Sequence, residues 1–451
     1  MQTAPAPAGA AEGTGPRGGT VHVVGGGMAG LSAALTLAEA GDRVVVHEAA
    51  GQAGGRCRTF HDRALDREID NGNHLVLTGN DAVARYLARS GGADALVALD
   101  EADFPMVDLD ATGDARRFTL ALSDGPVPWW VLAPSRRVPG TSLGEYLEGW
   151  RLAAAAPRAT VAEAIRGRGP LWRGFWEPMT LAVLNTVPER GQARLLWRVM
   201  RKTFLRGAAH ARPMLAPKGL GAAFVAPALA RLAALGARVE TNAAVSGIED
   251  DGRRATALSL GARRIALGAE DALVLALPPS RLAKLMPGIE APADDGAILN
   301  AHFVVRDARR LEGAAPITGL LGALAQWVFV RGDVVSVTVS GAHELGILAT
   351  PRDEVATRLW RDVGAALSLG DNDRIATRLI AEKRATFDQS PAGIARRPGA
   401  RTRLANVVLA GDATDTGLPA TIEGALLSGE IAAATVRDTS TTRQARRTGR
   451  A

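Results

Sequence analysis

The sequence is short of several things. It holds one cysteine, Cys57, among 451 residues. An intrachain disulfide is therefore excluded, which is consistent with a reducing compartment. No uninterrupted apolar run reaches the roughly 18 residues that a membrane span requires. Nearly all of the basic residues are Arg, a compositional habit of the source genome. With one cysteine and scattered histidines there is no metal-ligand cluster, and no metal is expected. Only two tyrosines occur, Tyr86 and Tyr146, neither of them in the glycine-rich stretches described below.

What is present reads as an ordinary globular chain. The hydrophobic fraction is 47% and the charged fraction 22%, and the length is ample for a sizeable core and for more than one domain. Residues 1–19, rich in Ala, Pro and Gly, lack the basic start and apolar core of a signal peptide. They read as a disordered leader. At the other end, residues 437–451 hold five Arg against one Asp, which is +4 of the chain's net +6. Such a basic tail can dwell on anionic lipid or nucleic acid, but solvated disorder is the plainer reading, and no nucleic-acid partner is expected.

Order begins with "TVHVV" at Thr20, followed by glycines and then by apolar residues at helical spacing, Leu31, Ala34, Leu35 and Ala38. Gly41 closes that helix and "RVVVHE" reads as a second strand, which makes a βαβ unit. The spacing predicts a discontinuous nucleotide domain (20–80, 208–280 and 401–436) interrupted by two substrate-binding segments (81–207 and 281–400). "DALVLALPPSRL" reads as a buried strand with a proline stop, and "QWVFVRGDVVSVTVSG" as a hairpin with a Gly-Asp turn. The first insertion contains six of the eight Trp. Its densest part, 171–189, is either a core helix or one wall of an apolar channel.

Three glycine-rich stretches carry chemistry. Gly25, Gly27 and Gly30 form a G-x-G-x-x-G between a strand and a helix, and the acidic Glu48 ends the next strand, which is the context this signature requires. Gly25 permits the tight turn, Gly27 the approach of backbone N–H groups to a pyrophosphate, and Gly30 close helix–strand packing. Glu48 would accept hydrogen bonds from a ribose. Gly54, Gly55 and Arg56 follow, a second close-approach loop with a planar fork of donors suited to a diphosphate. "LAGDATDTGLPATIEGALLSG" (409–429) delivers Gly411 and Asp412 from a strand, then opens a helix whose N-terminus can face an electron-rich ring. Together the three spell a protein that binds FAD.

The chain resembles the flavin amine oxidase and phytoene desaturase superfamily over nearly all its ordered length. Within it, "IDNGNHLVLTGN", "EKRATF" (382–387) and "GDATDTGLPATIEGALLSG" resemble the hydroxysqualene dehydroxylases. The resemblance implies an α/β, amine-oxidase-like fold: two Rossmann-like dinucleotide-binding halves for FAD, with an inserted α+β substrate domain. It implies reductive loss of the hydroxyl of hydroxysqualene, giving squalene for bacterial squalene or hopanoid synthesis. It also implies an isoprenoid lipid as substrate, upstream enzymes of that pathway as neighbours, and a cytoplasmic enzyme on the inner face of the cytoplasmic membrane. Carried over by position, Val245 meets the adenine through its backbone, the N–H of Ile422 approaches the flavin, and Gly72, Asn73 and His74 pass the isoalloxazine. Ala413 departs from the pattern, since the family commonly has Trp there.

Removing a hydroxyl requires an acid to protonate the leaving oxygen and a hydride to replace it. Histidine lies nearest the working pH, so His74 is the first candidate, with a structural role as the alternative. Asp415 is the second, as a carboxyl kept protonated by an apolar site. Lys383 and Arg384 could instead order water or close the site, or simply pair with Glu382. Competing uses of the same scaffold are a carotenoid-type desaturase, an amine oxidase and a non-catalytic flavin-bearing scaffold.

Overall fold

The computed structural model describes residues 18–110 and 116–448. The expected leader therefore falls almost entirely outside the described residues. Two sheets organise the chain. The first is parallel and five-stranded, in the order Arg238–Glu240, Arg43–His47, Thr20–Val24, Ala272–Ala276, Val407–Ala410. Its strands are short β-branched or aliphatic runs, and Ala272–Ala276 is buried along nearly all its length, as befits a sheet covered on both faces. The helix Met28–Glu39 follows the first strand directly and is buried on almost every side. It packs against the last helix, Ile422–Thr448. A Cβ on Gly429 would come within 2.3 Å of the Ala29 carbonyl oxygen, so the two helices approach at glycine distance.

The second sheet is seven-stranded, in the order Arg374–Thr386, Gly296–Val305, Val334–Val339, Trp327–Arg331, Ile317–Leu321, Asp103–Asp108, Arg116–Ala121. All its pairings are antiparallel except that of Ile317–Leu321 with Asp103–Asp108. The hairpin expected at 326–341 is there: Arg331 pairs with Val334 across Gly332-Asp333, and Gly332 takes a φ of +62°. Helical segments from the aromatic-rich insertion lie against this sheet, and their core holds Trp130, Trp172, Phe175 and Trp176.

The buried strand with a proline stop is there: it ends at Ala276, and the prolines then open a new helix, Pro279–Leu285, because proline's fixed φ and missing N–H suit a first turn. One expectation differs from the structure. The basic tail, read as solvated coil, continues as helix to Thr448. From Glu430 to Thr448 the sequence has no Gly or Pro, and a helix already nucleated propagates through such residues.

Candidate active site

The first glycine loop is built as its spacing demands. Gly25 has a φ of +103°, and its N–H donates to the His47 carbonyl at 2.8 Å. A Cβ on Gly30 would sit 1.9 Å from the Gly25 carbonyl oxygen, so only glycine lets the helix start so close to the loop. A Cβ on Gly27 would meet nothing within 4 Å, which leaves a cradle beside the first helical N–H groups, and these have no intrahelical partners. Glu48 accepts from Gly26 N at 2.7 Å and from Ala50 N at 2.8 Å, which fixes its carboxylate at the loop's edge. The stretch that carries Val245 runs alongside, Ala243 N donating to the Glu48 carbonyl.

Gly54 and Gly55 both take positive φ, 110° and 55°, and a Cβ on Gly55 would touch Gly27. The next residue, Arg56, reaches across the molecule. Its guanidinium donates to Asp412 Oδ1 at 2.9 Å and to the Ala385 carbonyl. The neighbouring Asp412 carboxylate holds Arg56 still more firmly charged. Gly411, at φ +132°, donates to Ser428 Oγ. Thr421 caps the last helix, its Oγ1 accepting from Gly424 N, and Ile422 opens that helix from a buried position. The three glycine stretches, separate in sequence, thus converge. Their open Gly27 cradle, their planar cation and their helix N-terminus fit a dinucleotide whose charge lies in its diphosphate.

Beside Arg56 opens a cavity of about 1860 Å³ including its mouth. Arg56, Gly72, Asn73, His74 and Ile422 line it. Its walls are mostly apolar, from Leu75, Leu77, Phe104, Phe175, Phe204 and Trp327 among others. Within them lies a connected polar patch. Asn73 Nδ2 donates to Thr338 Oγ1 at 3.4 Å, and Thr338 Oγ1 donates to Asn300 Oδ1 at 3.0 Å. Asn300 Nδ2 reaches the Asn71 carbonyl at 3.5 Å. Asn71 Nδ2 donates to Glu382 Oε2 at 3.3 Å. A Cβ on Gly72 would crowd Asn300, which keeps that turn open to the patch.

His74 stands on the same loop. Burial, with the Arg56 charge beside it, holds its imidazole down at about 4, although Asp70 pulls the other way. It is therefore neutral at neutral pH, and the expectation of a histidine poised near working pH is not met. Asp415 is corrected too. Its side chain is 61% exposed, lies 4.0 Å from Arg397 and accepts from Gly417 N, and it does not line the cavity. The apolar surroundings expected for it are absent from its exposed side chain. Ala413 is buried but likewise off the cavity wall.

"EKRATF" is turned differently from both readings of it. The strand Arg374–Thr386 is irregular here, with Glu382 opposite Ile298 but Thr386 opposite Gly296. That bulge puts Glu382 on the cavity wall and leaves Lys383 and Arg384 exposed. Sequence reasoning missed Asn300, Thr338 and an ion pair on the cavity wall whose acid is buried. In that pair Lys202 Nζ lies 2.7 Å from Glu423 Oε1, while Glu423 Oε2 accepts from Ala82 N and Val83 N. The available signal was a polar residue inside a buried strand: Asn300 in "GAILNAHFVV" and Thr338 in "VVSVTV".

Comparison with known proteins decides the family. Residues 28–437 match the family described as flavin containing amine oxidoreductase. A hydroxysqualene dehydroxylase of Rhodopseudomonas palustris is 41% identical, over 92% of this chain and 97% of its own. The chain belongs to this family. A hydroxysqualene dehydroxylase of Zymomonas mobilis is 38% identical, over 91% of this chain and 97% of its own. Among solved structures, cyclohexylamine oxidase from Brevibacterium oxydans has a TM-score of 0.68 at 15% identity, covering 93% of this chain and 99% of its own. That likeness shows the amine-oxidase-like fold. The protein is an FAD-dependent oxidoreductase. No helix among the described residues is long and apolar enough to cross a membrane.

Proposed function

We propose that the chain removes the hydroxyl of hydroxysqualene to give squalene, a step of bacterial squalene or hopanoid biosynthesis, at the cytoplasmic face of the membrane and near the upstream enzymes of that pathway. One observation carries this reading beyond family membership. A mostly apolar cavity holds, on the turn beside His74, a connected polar patch of Asn73, Thr338 and Asn300, and an isoprenoid with one hydroxyl likewise sets one polar group on an apolar body. The apolar walls bury the hydrocarbon, and leaving the patch unpaired against it would be costly, so the patch selects for one oxygen.

In the reaction the C–O bond breaks, hydride takes the carbon and a proton takes the oxygen, which departs as water. Reduced FAD, when bound, supplies the hydride. Gly25, Gly27, Gly30, Glu48, Gly54, Gly55, Arg56, Val245, Gly411, Asp412 and Ile422 would hold it. The patch positions the alcohol. Thr338 Oγ1 gives its proton to Asn300 and accepts one bond from Asn73, so one lone pair remains for a substrate O–H. Asn73 keeps a second N–H for the substrate oxygen. His74, neutral at rest, must gain a proton before it can give one. The apolar walls keep bulk water from the reacting carbon.

The test is to reduce the purified holoenzyme without air, add hydroxysqualene, follow the flavin spectrum and extract the lipid. Reoxidation with squalene as product is expected, and Asn73→Ala should lower kcat/KM by about tenfold or more with FAD content unchanged. No reoxidation, with bleaching of the oxidised flavin by squalene or a carotenoid precursor, would overturn the reading in favour of a desaturase. The amine-oxidising alternative draws no support from the tyrosines. Tyr86 is buried against Phe224 and Tyr146 packs on Trp130, both away from the cavity wall.

A further inference from the structure

The outer face of the aromatic-rich insertion carries an unusual surface. Trp129 is 62% exposed, Leu132 54%, Leu147 67% and Trp150 59%, with Val127 and Leu143 close to half exposed. Apart from Val127, these side chains come from three short helices, Trp129–Leu132, Leu143–Leu147 and Trp150–Ala154. The first two are held side by side, Trp130 meeting Tyr146 edge-on at 5.5 Å, and the third follows the second directly, Gly149 N donating to the Tyr146 carbonyl at 3.3 Å. The exposed residues thus form one patch rather than scattered single side chains, and contiguous apolar patches mark interaction sites.

Charge identifies the partner. Residues 127–206 contain thirteen basic and five acidic side chains; Arg173, Arg190, Lys202 and Arg206 pair with acids elsewhere in the chain, which leaves nine basic side chains against the five acids. Two acids on the patch's own helices and loops are tied down locally. Glu145 caps Ser142, and Glu148 accepts from Arg166 N and Gly167 N. Arg151, on the third of these helices, and Arg166, whose N–H meets Glu148, are exposed. Apolar side chains including tryptophan, surrounded by arginines, are what an anionic bilayer surface binds.

The patch also backs onto the cavity. A Cβ on Gly149, beside Trp150, would lie 3.0 Å from the Trp176 ring. Trp176 packs at 4.9 Å on Phe175, and Phe175 lines the cavity. One aromatic layer therefore separates the outer patch from the interior.

We propose that the surface formed by Val127, Trp129, Leu132, Leu143, Leu147 and Trp150 seats the enzyme on anionic membrane, so that the isoprenoid is drawn from the bilayer rather than from water. This rests on the lipid-substrate reading above. The holoenzyme is floated with vesicles of phosphatidylcholine, alone or mixed with phosphatidylglycerol, and compared with the variant Trp129→Ser/Leu147→Ser/Trp150→Ser. Its visible flavin spectrum and far-ultraviolet circular dichroism verify folding. Wild type should bind the anionic vesicles, less so in high salt, and the variant should bind on the order of a hundredfold more weakly. Turnover of detergent-dispersed hydroxysqualene should be unchanged in the variant, while turnover of vesicle-borne substrate falls. Equal binding by variant and wild type, or no binding by either, would overturn the proposal. So would a change in oligomeric state as the variant's main effect, which would make the patch an interface between copies. Failure of the substrate reading would show separately, as absent turnover in detergent with vesicle binding intact. If a misfolded triple variant obscures the result, Leu147→Ser alone, 67% exposed, repeats the binding test.

Discussion

At the residue scale, the histidines set the pH behaviour. If His74 delivers the proton, its imidazolium fraction falls about tenfold per pH unit above its value of about 4, so log kcat should decline with a slope near −1 through neutral pH. His74→Ala should abolish that slope as well as lower the rate. A flat profile in the wild type would move the proton to Glu382, the carboxyl on the same wall that Asn71 already addresses. Stability follows the same groups. His22, His47, His74 and His302 are all held below the usual histidine value, with burial the largest cause in each. In the window between those lowered values and about 6.5 the unfolded chain binds more protons than the folded one, so stability rises with pH there and is lost on acidification. For His302, held at about 4 and almost fully buried, the loss is at most roughly 3 kcal/mol. The urea midpoint of wild type should fall between pH 7 and 4, and His302→Gln should fall less steeply.

At the scale of the element, the glycine loop separates folding from binding. A Cβ on Gly30 collides with the loop's own backbone, while a Cβ on Gly27 points into open space. Gly27→Ala should therefore leave the apo-protein's melting temperature near wild type yet cost much of the FAD affinity, measured by titrating the apo-protein. Gly30→Ala should lower both. These positions were legible from sequence, because a strand, three spaced glycines and a helix are local consequences of backbone sterics. The hairpin at Gly332-Asp333 was legible for the same reason. The polar patch was not. Asn73, Thr338 and Asn300 lie on three stretches far apart in the chain; the register of the second sheet sets Asn300 opposite Thr338, and the loop of Asn73 folds over them. Asp415 misled in the opposite direction: its place within a flavin motif suggested burial, but the turn beside Gly417 faces it outward. Glu382 and Lys383 exchanged their expected importance through a bulge, which no strand periodicity announces.

At the scale of the whole molecule, the cofactor site doubles as a clasp. Its parts come from residues 25–56 and 411–422, and Arg56 spans them, also reaching the second sheet at Ala385. The Arg56 side chain is 39% exposed, so the ion pair with Asp412 is partly screened and by itself contributes little. Any ligand that bridges the two stretches binds the folded chain and not the unfolded one, and so stabilises it by RT ln(1 + [L]/Kd), about 2.7 kcal/mol at a hundredfold excess over Kd. The melting temperature should accordingly climb with added FAD, by a few degrees at that excess for a chain of this size. Arg56→Lys keeps the charge but loses the planar fork, so it should weaken the FAD dependence while leaving the apo-protein's melting temperature nearly unchanged. Asp412→Ala removes the partner that holds the fork in place and should weaken it further. Differential scanning of apo-protein, holo-protein and both variants against FAD concentration measures these shifts. A melting temperature indifferent to FAD in wild type would show that the two stretches are closed by packing alone, chiefly the contact of Gly429 with Ala29 between the first and last helices.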